Sequence, residues 1–147
     1  MAKCVDLNEN ATVQPDAISS KPQKKNVLIV EDYEPNAIVL TAILEHLNYT
    51  YDVAVNGSEA LRQFRQHSYD LILMDIQMED MDGLESTKRI RQYEMENDLK
   101  DTPIIAITAH VLEKDKYKCL EAGMNDFIPK PFSHELLEEK LAAFLKY

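Results

Sequence analysis

The sequence predicts an α/β fold: a doubly wound parallel sheet of five strands with helices on both faces. Three observations carry this prediction. Short, continuously apolar runs such as Val27-Leu28-Ile29-Val30 and Leu71-Ile72-Leu73-Met74 read as strands buried on both faces. Segments of helical period alternate with those runs, the pattern of strand-helix-strand units joined by right-handed crossovers. Polar residues of distinct chemistry close several runs: Glu31-Asp32, Asp75, Thr108 and Lys130.

The elements follow in order. After the first strand, Pro35 suits the first turn of a helix. Ile38, Val39, Ala42, Ile43 and Leu47 recur there at helical spacing and mark its apolar face. Asn48 closes the helix, because Asn tolerates the left-handed conformation. Tyr51 to Val55 is the second strand, Asn56-Gly57-Ser58 a turn and cap, and Glu59 to about His67 a helix with Ala60, Leu61 and Phe64 on one face. The third strand is Leu71 to Met74. A helix runs from about Leu84 to Glu96, a polar loop from Asn97 to Thr102, and the fourth strand over Pro103-Ile104-Ile105-Ala106-Ile107. The next helix covers Glu113 to about Glu121 and stops at Gly123. A short fifth strand centres on Phe127-Ile128, and Pro129 within it points to a sheet edge. Ser133 caps the last helix, whose Leu137, Leu141, Phe144 and Leu145 face the sheet.

With five strands, the order 2-1-3-4-5 places a switch point between strands 1 and 3, where open α/β sheets bind ligands. Glu31, Asp32 and Asp75 are therefore expected neighbours. Three carboxylates together repel one another, and a bound dication removes that cost. Mg²⁺ takes oxygen ligands, keeps several waters and accepts one or two carboxylates plus phosphate oxygens. No Cys or His maps to these tips to favour a softer metal. Asp75 is then placed to act as a nucleophile on phosphorus. The Lys130 ammonium and the Thr108 hydroxyl each serve one equatorial oxygen of the transferring group.

Composition narrows the classes. The chain has 147 residues and a formal net charge of −10. So acidic a surface opposes nonspecific nucleic-acid binding, which depends on neutralising phosphates. Cys4 and Cys119 lie far apart in no ligand pattern, which suits a reducing cytoplasm, with Cys119 packed in a helix. No apolar stretch is long enough to span a membrane, and the N-terminus lacks the apolar segment of a signal peptide. Residues 1–25 are polar and aperiodic, with Pro15, Pro22 and Ser19-Ser20-Lys21, and read as a flexible tail ahead of one domain at 26–147. Asp80-Met81-Asp82-Gly83 lacks the acidic spacing and terminal Glu of a calcium loop. Lys88, Arg89 and Arg91 read as a solvated helix face.

Taken jointly, Val27 to Asp32, Leu73-Met74-Asp75-Ile76-Gln77-Met78, Met81-Asp82-Gly83, Ile107-Thr108-Ala109 and Lys130-Pro131-Phe132 resemble the receiver domain of two-component response regulators. Asn56-Gly57 with Glu59-Ala60-Leu61, and Glu121-Ala122-Gly123-Met124, extend the likeness to all but the tail. The wording is closest to receivers of hybrid sensor kinases and to single-domain regulators. The resemblance implies a flavodoxin-like fold with Asp75 as phosphoacceptor. It implies Glu31 and Asp32 as the acidic pair for Mg²⁺, with the Gln77 backbone carbonyl as a further ligand. Lys130 would contact the phosphoryl group, its bond to Pro131 being usually cis in the family. Thr108 would be the switch hydroxyl and Phe127 the aromatic that turns inward with it. Glu79 departs from the Pro that many members carry after Met78, and Gln77 and His110 flank the site.

The resemblance further implies a phosphoryl donor on a histidine kinase or histidine phosphotransfer domain. Residues 113–145 would form the face used for partners or for a weak homodimer, if the chain is not a monomer. Catalysis would be limited to the chain's own phosphorylation and dephosphorylation. Because the chain ends directly after the fifth helix, the expectation is a stand-alone regulator or the receiver of a larger hybrid kinase. The alternatives are a pseudo-receiver that binds partners without phosphate, and a phosphatase of the haloacid dehalogenase type. The second alternative is weakened by Gln77, which stands where an Asp-x-Asp motif would need its second acid.

Overall fold

Five strands form one parallel sheet: β1 (Asn26–Val30), β2 (Thr50–Ala54), β3 (Leu71–Asp75), β4 (Ile104–Thr108) and β5 (Asp126–Pro129). Their order is β2-β1-β3-β4-β5, and every neighbouring pair is parallel. The computed structural model describes residues 24–109 and 112–145. Most of the expected tail, with Cys4, and also His110 and Tyr147 lie outside those residues. Lys25, assigned to the tail, is tied to the sheet: its carbonyl accepts from the Thr50 backbone N–H at 3.0 Å.

The helices are α1 (Glu34–His46), α2 (Gly57–Gln66), α3 (Gly83–Glu96), α4 (Glu113–Ala122) and α5 (His134–Phe144). Side chains alternate along each strand, so the sheet builds two cores. Val27, Ile29, Leu73, Ile105, Ile107 and Ile128 pack with Leu40 and Leu44 of α1 and Leu137 and Leu141 of α5. Leu28, Val30, Ile72, Met74 and Ala106 pack with Phe64 of α2, Ile90 of α3 and Cys119 of α4. β3 and β4 are buried at every position, which is why their runs are apolar without alternation. Each such Leu or Ile contributes about 1.5–3 kcal/mol of burial. Among the described residues, no helix is long and apolar enough to cross a membrane.

Local chemistry sets the element ends. The Asn56 side chain accepts from the Glu59 N–H at 2.7 Å, so α2 begins at Gly57 rather than Glu59. Ser133 caps α5 as expected, accepting from the Leu136 N–H at 3.2 Å. Asn48 and Gly123 adopt left-handed backbone, with φ of 68° and 107°, just beyond α1 and α4. β5, with Pro129, forms one sheet edge.

Two sequence expectations need correction. In α1 the buried stripe is Leu40, Ile43 and Leu44, while Ile38 and Val39 are 60% and 46% exposed and Ala42 is also exposed. Both stripes have helical spacing. α1 carries apolar residues around most of its circumference, so period alone did not select the packed face. Second, Arg91 is not part of a solvated face. Its guanidinium donates to the Gly123 carbonyl at 2.9 Å, to Glu94 Oε1 at 2.7 Å and to Asn125 Oδ1 at 3.0 Å. Glu94 is buried and also accepts from the Thr102 N–H at 2.8 Å, and Asn125 Oδ1 accepts from the Ile104 N–H. This network ties α3 to the entrances of β4 and β5. Glu94→Ala should lower unfolding free energy by about 3–5 kcal/mol, the range for breaking a buried pair. It should fall at the lower end, because the Arg91 side chain is 16% exposed. Urea denaturation measures this, and a change below about 1 kcal/mol would mark the network as surface-like.

Candidate functional site

β1 and β3 are neighbours with Val30 opposite Met74, so the next residues, Glu31 and Asp75, emerge side by side at the C-terminal edge. β4 pairs with β5 so that Thr108 lies opposite Pro129, bringing Lys130 to the same edge. The Lys130 N–H donates to the Thr108 carbonyl at 2.8 Å, and the Lys130-Pro131 bond is cis. Four strand ends thus converge as the sequence expectation required.

Oxygens of Glu31, Asp32 and Asp75 lie within 4.8 Å of one another. Glu31 and Asp75 are each 1% exposed, whereas Asp32 is open to solvent. The Lys130 ammonium sits 3.1 Å from Asp75 Oδ1 and 3.5 Å from Glu31 Oε2. One cation is shared by two buried acids, and Asp32 adds a third. Glu31 Oε1 accepts from the Tyr33 N–H at 3.1 Å, while Glu31 Oε2 is buried without a hydrogen bond. Asp75 Oδ1 also accepts from the Gln77 N–H at 3.2 Å. A buried carboxylate oxygen with unused acceptor capacity, beside two more acids, is a donor set suited to a hard cation such as Mg²⁺.

Burial pushes the Glu31 carboxyl up from the ordinary 4.5 to about 7. The neighbouring Asp75 carboxyl acts the same way, against the Tyr33 N–H and Lys130. The sign of the consequence is fixed by linkage. Between 4.5 and about 7 the folded chain holds a proton that the unfolded chain has lost. The stability Glu31 contributes is therefore present in acid and lost as pH rises through about 7. Without metal, melting temperature should fall from about pH 5 to about pH 8 more steeply than in Glu31→Gln, and added Mg²⁺ should stabilise most at the alkaline end. Parallel melting curves for the two proteins would contradict this origin of the shift.

Thr108 is buried at the last position of β4. The Gln77 side chain is exposed in the loop after β3, as is Glu79. Phe127 is half-buried on β5, against the core that includes Ala106 and Cys119. Sequence reasoning did not foresee the part played by Gly83, the first residue of α3. Its N–H donates to the Ile76 carbonyl at 3.0 Å. A Cβ there would stand 2.3 Å from the Asp75 carbonyl oxygen, so only glycine lets α3 abut the end of β3. Nor did the sequence signal that Lys116 of α4 lies over the Phe127 ring.

A doubly wound sheet with a shared acid–lysine cluster at its switch point defines a class of phosphoryl-handling α/β proteins. The family described as response regulator receiver domain matches residues 27–142, and the chain belongs to that family. It is a receiver domain of two-component signalling with the flavodoxin-like strand order. It is 44% identical over 119 residues to the aerobic respiration control sensor protein ArcB of Escherichia coli, covering 81% of this chain and 15% of that protein. The receiver domain of the sensor histidine kinase PA1611 of Pseudomonas aeruginosa, solved with magnesium in its active-site cleft, is 37% identical with a TM-score of 0.75. That match covers 83% of this chain and 98% of the other. The receiver domain of Ssk1 from Saccharomyces cerevisiae, crystallised with the histidine phosphotransfer protein Ypd1, is 34% identical with a TM-score of 0.78. It covers 82% of this chain and 88% of the other. The chain spans only a small part of such curated relatives: 15% of ArcB and 6% of the hybrid signal transduction histidine kinase B of Dictyostelium discoideum.

Proposed function

We propose that residues 26–147 form a Mg²⁺-dependent phosphoacceptor that takes a phosphoryl group from a phosphohistidine onto Asp75. The observation that carries this is the shared Lys130 ammonium between two buried carboxylates, one of which, Glu31, retains an unbonded oxygen. Glu31, Asp32, Asp75 and the Gln77 backbone carbonyl would hold the ion. When bound, Mg²⁺ would neutralise the clustered acids and part of the charge on the phosphoryl oxygens.

In the transfer, an Asp75 carboxylate oxygen forms a bond to phosphorus as the donor's bond to phosphorus breaks. The electron pair of that bond leaves with the donor imidazole, which takes up a proton. No general base is needed, because the attacking oxygen is already ionised. Lys130 stabilises one equatorial oxygen and the Thr108 hydroxyl another. The charge introduced draws Thr108 toward the site and lets Phe127 turn inward, altering the 113–145 face for a partner or a second copy. The donor would be a histidine kinase or histidine phosphotransfer domain, as the Ssk1 and PA1611 likenesses suggest. A cytoplasmic setting suits the free, buried Cys119 thiol.

The test is incubation with acetyl phosphate and Mg²⁺, followed by intact mass measurement. The chain should gain one phosphoryl group, and chelation of Mg²⁺ should prevent it. Absence of any gain, together with no binding of beryllofluoride, would leave a partner-binding module without phosphoryl chemistry.

A further inference from the structure

Phe127 lines a surface groove of roughly 300 Å³ between α4 and β5, together with Glu113, Lys116, Tyr117, Leu120 and Asp126. The Lys116 ammonium stands 4.8 Å from the centre of its ring. Lys140 of α5 reaches to 6.0 Å of the same ring while bound to Asp126 at 2.8 Å. The ring is thus engaged by cations from two helices. Lys116 also forms an ion pair with Glu113 at 3.7 Å, and that acid is 94% exposed. A pair so open to water holds Lys116 weakly. The aromatic face is the better-defined contact, because a ring attracts an ammonium within about 6 Å of its centre.

We infer that Lys116 is a positioning residue for the switch: its ammonium holds the Phe127 ring in the groove and so sets how much of the unphosphorylated protein already occupies the inward state. The inference rests on the proposed role of Phe127. Turning the ring inward would take it out of the groove and away from Lys116. A phosphoryl mimic that favours the inward state must overcome that contact. Its apparent affinity falls with the fraction of molecules already competent to bind it. Lys140 is the lesser holder, being farther from the ring and committed to Asp126. Phe127 carries no hydroxyl to anchor it, so ring packing and these cations govern its position.

The experiment measures beryllofluoride binding at saturating Mg²⁺ for the full chain and for Lys116→Gln and Lys116→Arg. Lys116→Gln should bind about two- to five-fold more tightly, the range set by an exposed cation–π contact. Lys116→Arg should match the parent, since a guanidinium engages the same face. In a Phe127→Ala background, Lys116→Gln should change nothing. The sign is diagnostic. If Lys116 acted only through long-range charge, its loss would weaken binding of an anionic mimic. Weaker or unchanged binding by Lys116→Gln, or an equal shift in Lys116→Arg, overturns the inference while the phosphoacceptor reading stands. If the parent binds no beryllofluoride with Mg²⁺, both readings fall together.

Discussion

Asp75→Asn should take up no phosphoryl group from acetyl phosphate, with intact mass unchanged while the parent gains one. An amide has no ionised oxygen to attack phosphorus, and no second acid is placed to substitute. Glu31 lies beside position 75, but its burial, the largest cause of a carboxyl pushed up to about 7, persists in the variant and keeps it a poor nucleophile. Asp32 is exposed, without the Lys130 contact that Asp75 and Glu31 share. The substitution should leave the fold intact. It removes a buried negative charge beside Glu31, so Glu31 should ionise more readily and the metal-free protein should melt no lower than the parent near pH 8. Loss of uptake would then not be a consequence of unfolding. A phosphoryl gain that persists in Asp75→Asn would remove Asp75 from its proposed role.

Lys130→Ala should slow phosphorylation about 100- to 1000-fold at saturating Mg²⁺, the usual consequence of deleting one preorganised donor to a developing charge. Initial rates with acetyl phosphate measure it. Lys130 is the cation paired to both Asp75 and Glu31, at 3.1 and 3.5 Å, and its side chain is only 20% exposed. Removing it leaves two buried acids without a counter-ion, which should raise the pH at which Glu31 ionises further. Lys130→Arg should recover only part of the rate, since a planar guanidinium does not present charge as a compact ammonium does. A loss smaller than about ten-fold would show that Lys130 is mainly a structural counter-ion.

Much of this site could be read from the sequence for a specific physical reason. Strands buried on both faces cannot alternate, so β3 and β4 stand out as unbroken apolar runs and their polar ends are conspicuous. Asp75 and Thr108 are found at such ends, whereas Lys130 follows the half-buried edge strand β5. The edge strand β2 is fainter, with Thr50 and Asp52 exposed, and its expected span was displaced by one residue. The packed face of α1 was misread because Ile38 and Val39 offer a rival apolar stripe, and a face is selected by the sheet it meets. The Arg91–Glu94 network was invisible for another reason. Its partners, Thr102, Gly123 and Asn125, come from loops whose approach depends on the assembled fold. Contacts between Lys116 and Phe127 are likewise set by how α4 lies on β5.

The odd–even parity of the strands has a consequence for how information leaves the site. Ile105 and Ile107 serve the layer under α1 and α5, while Ile104, Ala106 and, by alternation, Thr108 belong to the opposite layer, which also borders Phe127. Parity therefore acts as a wiring rule, giving the hydroxyl and the aromatic a common side of the sheet. Sliding β4 by a single position would put a hydrocarbon where the Thr108 hydroxyl stands and, on the proposed roles, disconnect sensor from readout, even with every strand still paired.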